Sequence, residues 1–284
     1  MRINTNINSM RTQEYMRQNQ DKMNTAMNRL SSGKSINSAA DDAAGLAIAT
    51  RMRAKEGGLN VGARNTQDAM SALRTGDAAL GSISNILLRM RDLATQAASG
   101  TNNVKDSASL DEEYQQLAKE INHIAEKTNF NGNAFLNSAD ADATKKGSDV
   151  TIQLSDAASD TLVITAIDAK VDTLLGAAVG KLTGADSAAA VTAATTEMGK
   201  IDTAIQAIAD ARATFGSQLN RLDHNLNNVT SQATNMAAAA SQIEDADMAK
   251  EMSEMTKFKI LNEAGISMLS QANQTPQMVS KLLQ

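Results

Sequence analysis

Residues 33–35 read Gly-Lys-Ser, the triplet that ends a phosphate-binding loop, where backbone N–H groups wrap the phosphates and the lysine reaches them. That chemistry also needs a glycine at position 28 and a buried strand ahead of it. Position 28 is Asn28, and the preceding Asn, Met, Gln and Arg residues have helical spacing. A nucleotide-binding protein acting through Gly33-Lys34-Ser35 is therefore the unfavoured alternative. A joint fits the neighbours better: Ser31, Ser32 and Gly33 end one helix, and Asp41 or Asp42 caps the next, starting near Ala43. His123 and His224 are the only imidazoles, no His-Glu-x-x-His is present, and both read as partly exposed helix residues. Asp41-Asp42 and Glu112-Glu113 read as helix N-terminal charges and a solvated face. With no cysteine to ligate a metal or form a disulfide, no catalytic, cofactor or metal site is expected.

Composition points instead to packing. Aromatic residues make up 2% of the 284-residue chain, tryptophan is absent, and Pro276 is the single proline. A core of Leu, Ile, Val, Met and Ala suits helices that pack along their length, whereas an enzyme pocket usually gathers aromatic side chains. Residues 1–100 hold 13 Lys and Arg against 8 Asp and Glu, and the remainder holds 14 against 24. The two portions are thus electrostatically complementary, and the dispersed basic residues, with hardly any aromatics, do not form a nucleic-acid stripe. Neither an 18-residue apolar run nor a Sec-type apolar segment near Met1 is found, so no membrane insertion is expected and export would take another route.

The strongest periodicity runs through Ile201, Ile205, Ile208, Phe215, Leu219, Leu222, Leu226, Val229, Ala233, Met236, Ala240 and Ile243 at alternating four-three spacing, broken only by Arg212. It predicts a rod-like helix roughly 60 Å long. Matching seams occupy Leu80, Ile83, Leu87, Met90, Ala94 and Ala97, and then Leu110, Tyr114, Leu117, Ile121 and Ile124, with a Gly-centred break at residues 98–103. The fold class expected is mainly α, an elongated antiparallel helical bundle or coiled coil with a small β-hairpin region. The hairpins are signalled by Asn131-Gly132 and by the alternating stretches Val150–Leu154 and Leu162–Ile164. Both ends are amphipathic, with apolar arcs wide enough to need more than one neighbour: Ile3, Ile7, Met10, Met27 and Leu30 at the front, and Met252, Met255, Phe258, Leu261, Leu269, Val279 and Leu282 at the back. The expected divisions are 1–42, an N-terminal half of an inner layer with its connecting spoke; 43–138, rod helices; 139–185, a variable hairpin and loop region; 186–240, a long rod helix; and 241–284, the returning inner helix.

These residues carry a resemblance. The stretches "INTNINSM" (3–10), "LSSGKSINSAADDAAGLAIATRM" (30–52), "RNTQDAMSALRTGDAAL" (64–80), "LLRMRDLATQAASGT" (87–101), "RATFGSQLNRLDHNLNN" (212–228), "SQIEDADMAKEM" (241–252) and "ISMLSQANQTPQMVSKLL" (266–283) strongly resemble bacterial flagellin. Over about residues 1–138 and 196–284 the resemblance implies a hairpin-like subunit whose termini meet in an inner helical layer. It also implies self-assembly into an extracellular flagellar filament and passage through the flagellar export apparatus. The partners implied are an export chaperone, the filament cap and hook-associated proteins, with a hook–filament junction protein as the alternative reading. It further implies recognition by Toll-like receptor 5 through the positions of Arg89, Leu93 and Glu113. Gln242 and Asn262-Glu263 depart from the family pattern, which leaves the polar contacts there open.

Overall fold

The computed structural model describes residues 6–137, 149–176 and 179–282, the last eight as backbone alone. Among them the chain is mainly helical: α1 (Ile7–Ser32), α2 (Ala43–Ala97), α3 (Val104–Lys127), α4 (Val171–Leu174), α5 (Ser187–Glu244) and α6 (Met248–Leu282). Two antiparallel hairpins interrupt them, β1 (Asn129–Phe130) with β2 (Asn133–Ala134), and β3 (Val150–Gln153) with β4 (Thr161–Ile164). The chain divides into two compact units, residues 1–56 with 234–284, and residues 57–233. This division falls inside α2 and α5, whereas the connectors between helices lie at residues 33–42 and 245–247.

Helix boundaries follow from local chemistry. Gly33 ends α1 in the left-handed conformation at φ 72°, which a side chain would strain, and its N–H closes on the Arg29 carbonyl at 2.8 Å. The Asp42 carboxylate accepts from the N–H groups of Ala44 and Gly45, both at 3.0 Å, and so caps α2. Asn103 and Asp106 form a reciprocal capping box at the start of α3, and Asp186 accepts from the Ala189 N–H at the start of α5. Asn131 and Gly132 both take positive φ, as a two-residue hairpin turn requires.

In the middle unit the seams of α2, α3 and α5 meet as the periodicity predicts. Leu80, Ile83, Leu87, Met90, Tyr114, Ile121, Ile201, Ile208, Phe215 and Leu222 are all buried in one cluster. Full burial of each such side chain stabilises by about 1.5–3 kcal/mol. The apparent break at Arg212 is a rim position: its guanidinium pairs with Asp77 at 2.8 Å while Ala211 packs against the core. Gly76 leaves room for two of the chain's four phenylalanines, since a Cβ there would lie 2.5 Å from the Phe135 ring and 2.8 Å from that of Phe215. The β3–β4 hairpin and Leu182 close the same cluster.

Within this core Tyr114 donates its hydroxyl to Glu197 at 3.2 Å, and Lys200 reaches the other oxygen of the same carboxylate at 2.7 Å. Glu197 is only 3% exposed, and these two partners satisfy the carboxylate oxygens that burial removes from water. Burial, and then the neighbouring Glu197 charge, push the Tyr114 phenol above its ordinary value. A raised folded-state value means that the stability Tyr114 contributes is fully present below about pH 10 and declines as pH rises, because the unfolded chain then ionises a phenol that the folded chain cannot. The stability of wild type relative to Tyr114→Phe should therefore fall by about 1.4 kcal/mol per pH unit above about pH 10. Urea melts of both proteins at several alkaline pH values measure this; parallel pH dependences would contradict it.

Candidate assembly site

In the terminal unit, α1 packs against α6 with its direction reversed. The Asn6 amide donates to the Ala272 carbonyl at 2.9 Å, Gly265 lies against Met16, and Asn262 bonds to Gln20 at 2.6 Å. Lys22 then stands over the Phe258 ring, and Arg29 pairs with Glu251 at 3.3 Å. The contact at Asn262 answers the question raised by its departure from the family pattern.

The Gly-Lys-Ser segment closes this unit. Ser35 donates its N–H to the Glu244 carbonyl at 2.6 Å, and Ala246 donates to the Gly33 carbonyl at 3.0 Å, so the two connectors pair as a short antiparallel bridge. The Lys34 ammonium lies 3.3 Å from the buried Glu244 carboxylate, which Arg53 also approaches at 3.5 Å. Lys34 thus serves an internal ion pair at a backbone joint, where a phosphate loop would aim it at a ligand. Next to it, Asp41 accepts from the N–H groups of Ser38 and Asn37, and these bonds, Ser38 first, hold its carboxyl below the usual value.

The expected assembly residues separate into two sets. Leu30, Met255, Phe258 and Leu269 are half-buried, whereas Ile7 (49%), Met10 (61%), Met27, Met252 and Leu261 remain exposed. Ile3 lies outside the described residues, as do the side chains of Val279 and Leu282. Tyr15, Ile48 and Ile260 are also exposed, although they stand off the periodic stripes and spacing alone did not mark them; Met248, Ile266 (57%) and Met268 join them. A pair of helices this apolar on its outer surface has buried only part of what its sequence offers.

The three positions proposed for receptor recognition lie in the middle unit. Arg89 and Glu113 are exposed and paired at 2.7 Å, tying α2 to α3. Leu93 is 1% exposed: it follows Met90 by one turn and so falls on the core side of α2, beneath that surface. Elsewhere in this unit a groove of about 420 Å³ has an apolar floor that includes Leu73, Phe135 and Ile164, with Asp68 its one ionisable group. Both histidines are exposed, no cluster of metal-ligating side chains occurs among the described residues, and no described helix is long and apolar enough to cross a membrane.

Residues 3–141 match the family model for the bacterial flagellin N-terminal helical region, and residues 198–283 match that for the bacterial flagellin C-terminal helical region. The chain belongs to the bacterial flagellin family. Flagellin of Listeria innocua is 44% identical, with all of this chain and 99% of the relative aligned. Flagellin of Bacillus subtilis is 37% identical with both chains fully covered. Among solved structures, Bacillus cereus flagellin is 66% identical over 62% of this chain and 94% of its own, with a TM-score of 0.52. A protein described as a flagellar hook-associated protein from Vibrio parahaemolyticus covers 72% of this chain and 100% of its own at TM-score 0.58; at 13% identity that likeness concerns the fold. Full-length identity to flagellins favours the filament over the hook–filament junction.

Proposed function

We propose that the exposed apolar surface of α1 and α6 is the contact by which copies of this flagellin pack into an extracellular flagellar filament. The observation that carries the reading is the number of large apolar side chains left uncovered on a helix pair that is already bonded along its length. In water such a surface is costly to leave open, and repetition of one subunit covers it without a second protein. The polar joint at residues 33–35 and 244–246 then fixes how α1 and α6 enter the pair. Family membership supports the same partners for this chain: the flagellar export apparatus with its chaperone, the filament cap and the hook-associated proteins. It also supports recognition by Toll-like receptor 5, with Arg89 and Glu113 as the contact residues and Leu93 as the packing beneath them.

Seeded polymerisation followed by electron microscopy tests the assembly reading. Proteins lacking residues 1–32 or 248–284 should stay monomeric at concentrations where the full chain forms filaments. Filaments from either truncated protein would overturn it.

A further inference from the structure

Twelve of the chain's fifteen methionines fall in residues 1–56 and 234–284, little more than a third of its length. The other three, Met70, Met90 and Met198, are buried or half-buried in the middle unit. Every exposed methionine among the described residues belongs to the terminal unit: Met10, Met27, Met248, Met252 (50%) and Met268 (64%). They share the exposed surface of the terminal unit with Ile7, Ile260 and Ile266, the surface assigned above to assembly.

A thioether is the one common apolar side chain that a mild two-electron oxidant makes polar. The chain has no cysteine to intercept such an oxidant, so the exposed thioethers are its accessible sulfur. We infer that Met10, Met252 and Met268 are oxidation sites through which peroxide prevents the unassembled subunit from polymerising. In this step a hydroperoxide transfers one oxygen to Sδ: the O–O bond breaks, the thioether gives up two electrons, and hydrogen peroxide leaves as water. The sulfoxide places a strong acceptor in what would be a dry apolar contact, so the contact loses its apolar character. Once assembled, the same side chains are covered, so the sensitivity belongs to the free subunit. Reduction of the sulfoxide by a methionine sulfoxide reductase restores the thioether and with it assembly.

This inference rests on the assembly reading, and its test separates the two. Purified full-length monomer is treated with hydrogen peroxide until peptide mass spectrometry shows one added oxygen at Met10, Met252 and Met268. It is then seeded and its critical concentration measured by sedimentation, with circular dichroism as the check on helicity. We expect unchanged helicity, a critical concentration raised by about tenfold or more, and recovery after treatment with the reductase. The triple variant Met10→Leu, Met252→Leu, Met268→Leu should polymerise with or without peroxide. Oxidised wild type that polymerises normally, or a Leu variant that peroxide inactivates as fully as wild type, would overturn the inference. If Ile7→Asp with Ile266→Asp, never exposed to peroxide, also polymerises normally, the assembly reading itself is wrong; if that variant fails while the oxidised protein assembles, only the oxidation step is.

Discussion

Replacing Ile7 and Ile266 together by aspartate should leave a folded monomer that forms no filaments. In the free subunit both side chains already face water, so the substitutions should change its stability by no more than about 0.5 kcal/mol each. If the proposed assembly surface is right, the same positions are desolvated against a neighbour in the filament, and an unpaired carboxylate there costs several kcal/mol. A penalty of about 4 kcal/mol per contact raises the critical concentration by roughly a thousandfold. The expected result is therefore a separation: unchanged thermal melting and circular dichroism, with sedimentable polymer absent. Filaments at the wild-type critical concentration would show that these faces lie outside the subunit contact. A monomer that melts far below wild type would show that the faces are already used within the chain.

The second large effect belongs to the middle unit. Phe215 is fully buried and shares the space left open by Gly76 with Phe135, in a core with few other aromatic rings. Truncation to alanine removes the ring's transfer free energy and leaves a cavity that flanking helices fill poorly, so Phe215→Ala should cost about 3–5 kcal/mol. Chemical denaturation monitored by circular dichroism should show an earlier transition for that variant. Leu219→Ala, one turn away and only partly buried, should cost less. Equal losses at the two positions would mean that the space beside Gly76 collapses freely and that the phenylalanine pair does not define it.

Much of this architecture is readable from spacing alone. The seams at 80–97, 110–124 and 201–222 become the core because four-three periodicity determines which side chains share a helix face, and a face that apolar must be covered. Asn131-Gly132, Gly33, Asp42 and Asp186 mark their turns and caps through backbone chemistry that few other residues supply. What spacing does not reveal is the identity of the neighbour. At the termini it groups Phe258 with Leu261, yet one is half-buried and the other exposed. At Leu93 the burial follows from its position beside the Met90–Ala94 stripe, where α2 has covered neighbours on both sides of the seam. Glu197 looks like any charged residue in an alanine-rich stretch; only the three-dimensional meeting of Tyr114, Lys200 and Gly180 around it explains why it sits in the core.

The terminal unit is built from contacts between the two extremes of the chain: Asn6 bonds to Ala272, 266 positions away, and Gln20 to Asn262, 242 positions away. Closing loops of that length is entropically expensive and slow compared with forming the local helix pairs of the middle unit. A chain emerging in one direction, whether from a ribosome or from a narrow pore, presents one extreme long before the other. Until the last segment is out, the leading segment has no mate in its own chain, and the joint at residues 33–35 cannot close on residues 244–246. A chain that stops short of residues 244–272 therefore keeps the apolar residues of α1 but lacks the partner segment on which α1 is ordered.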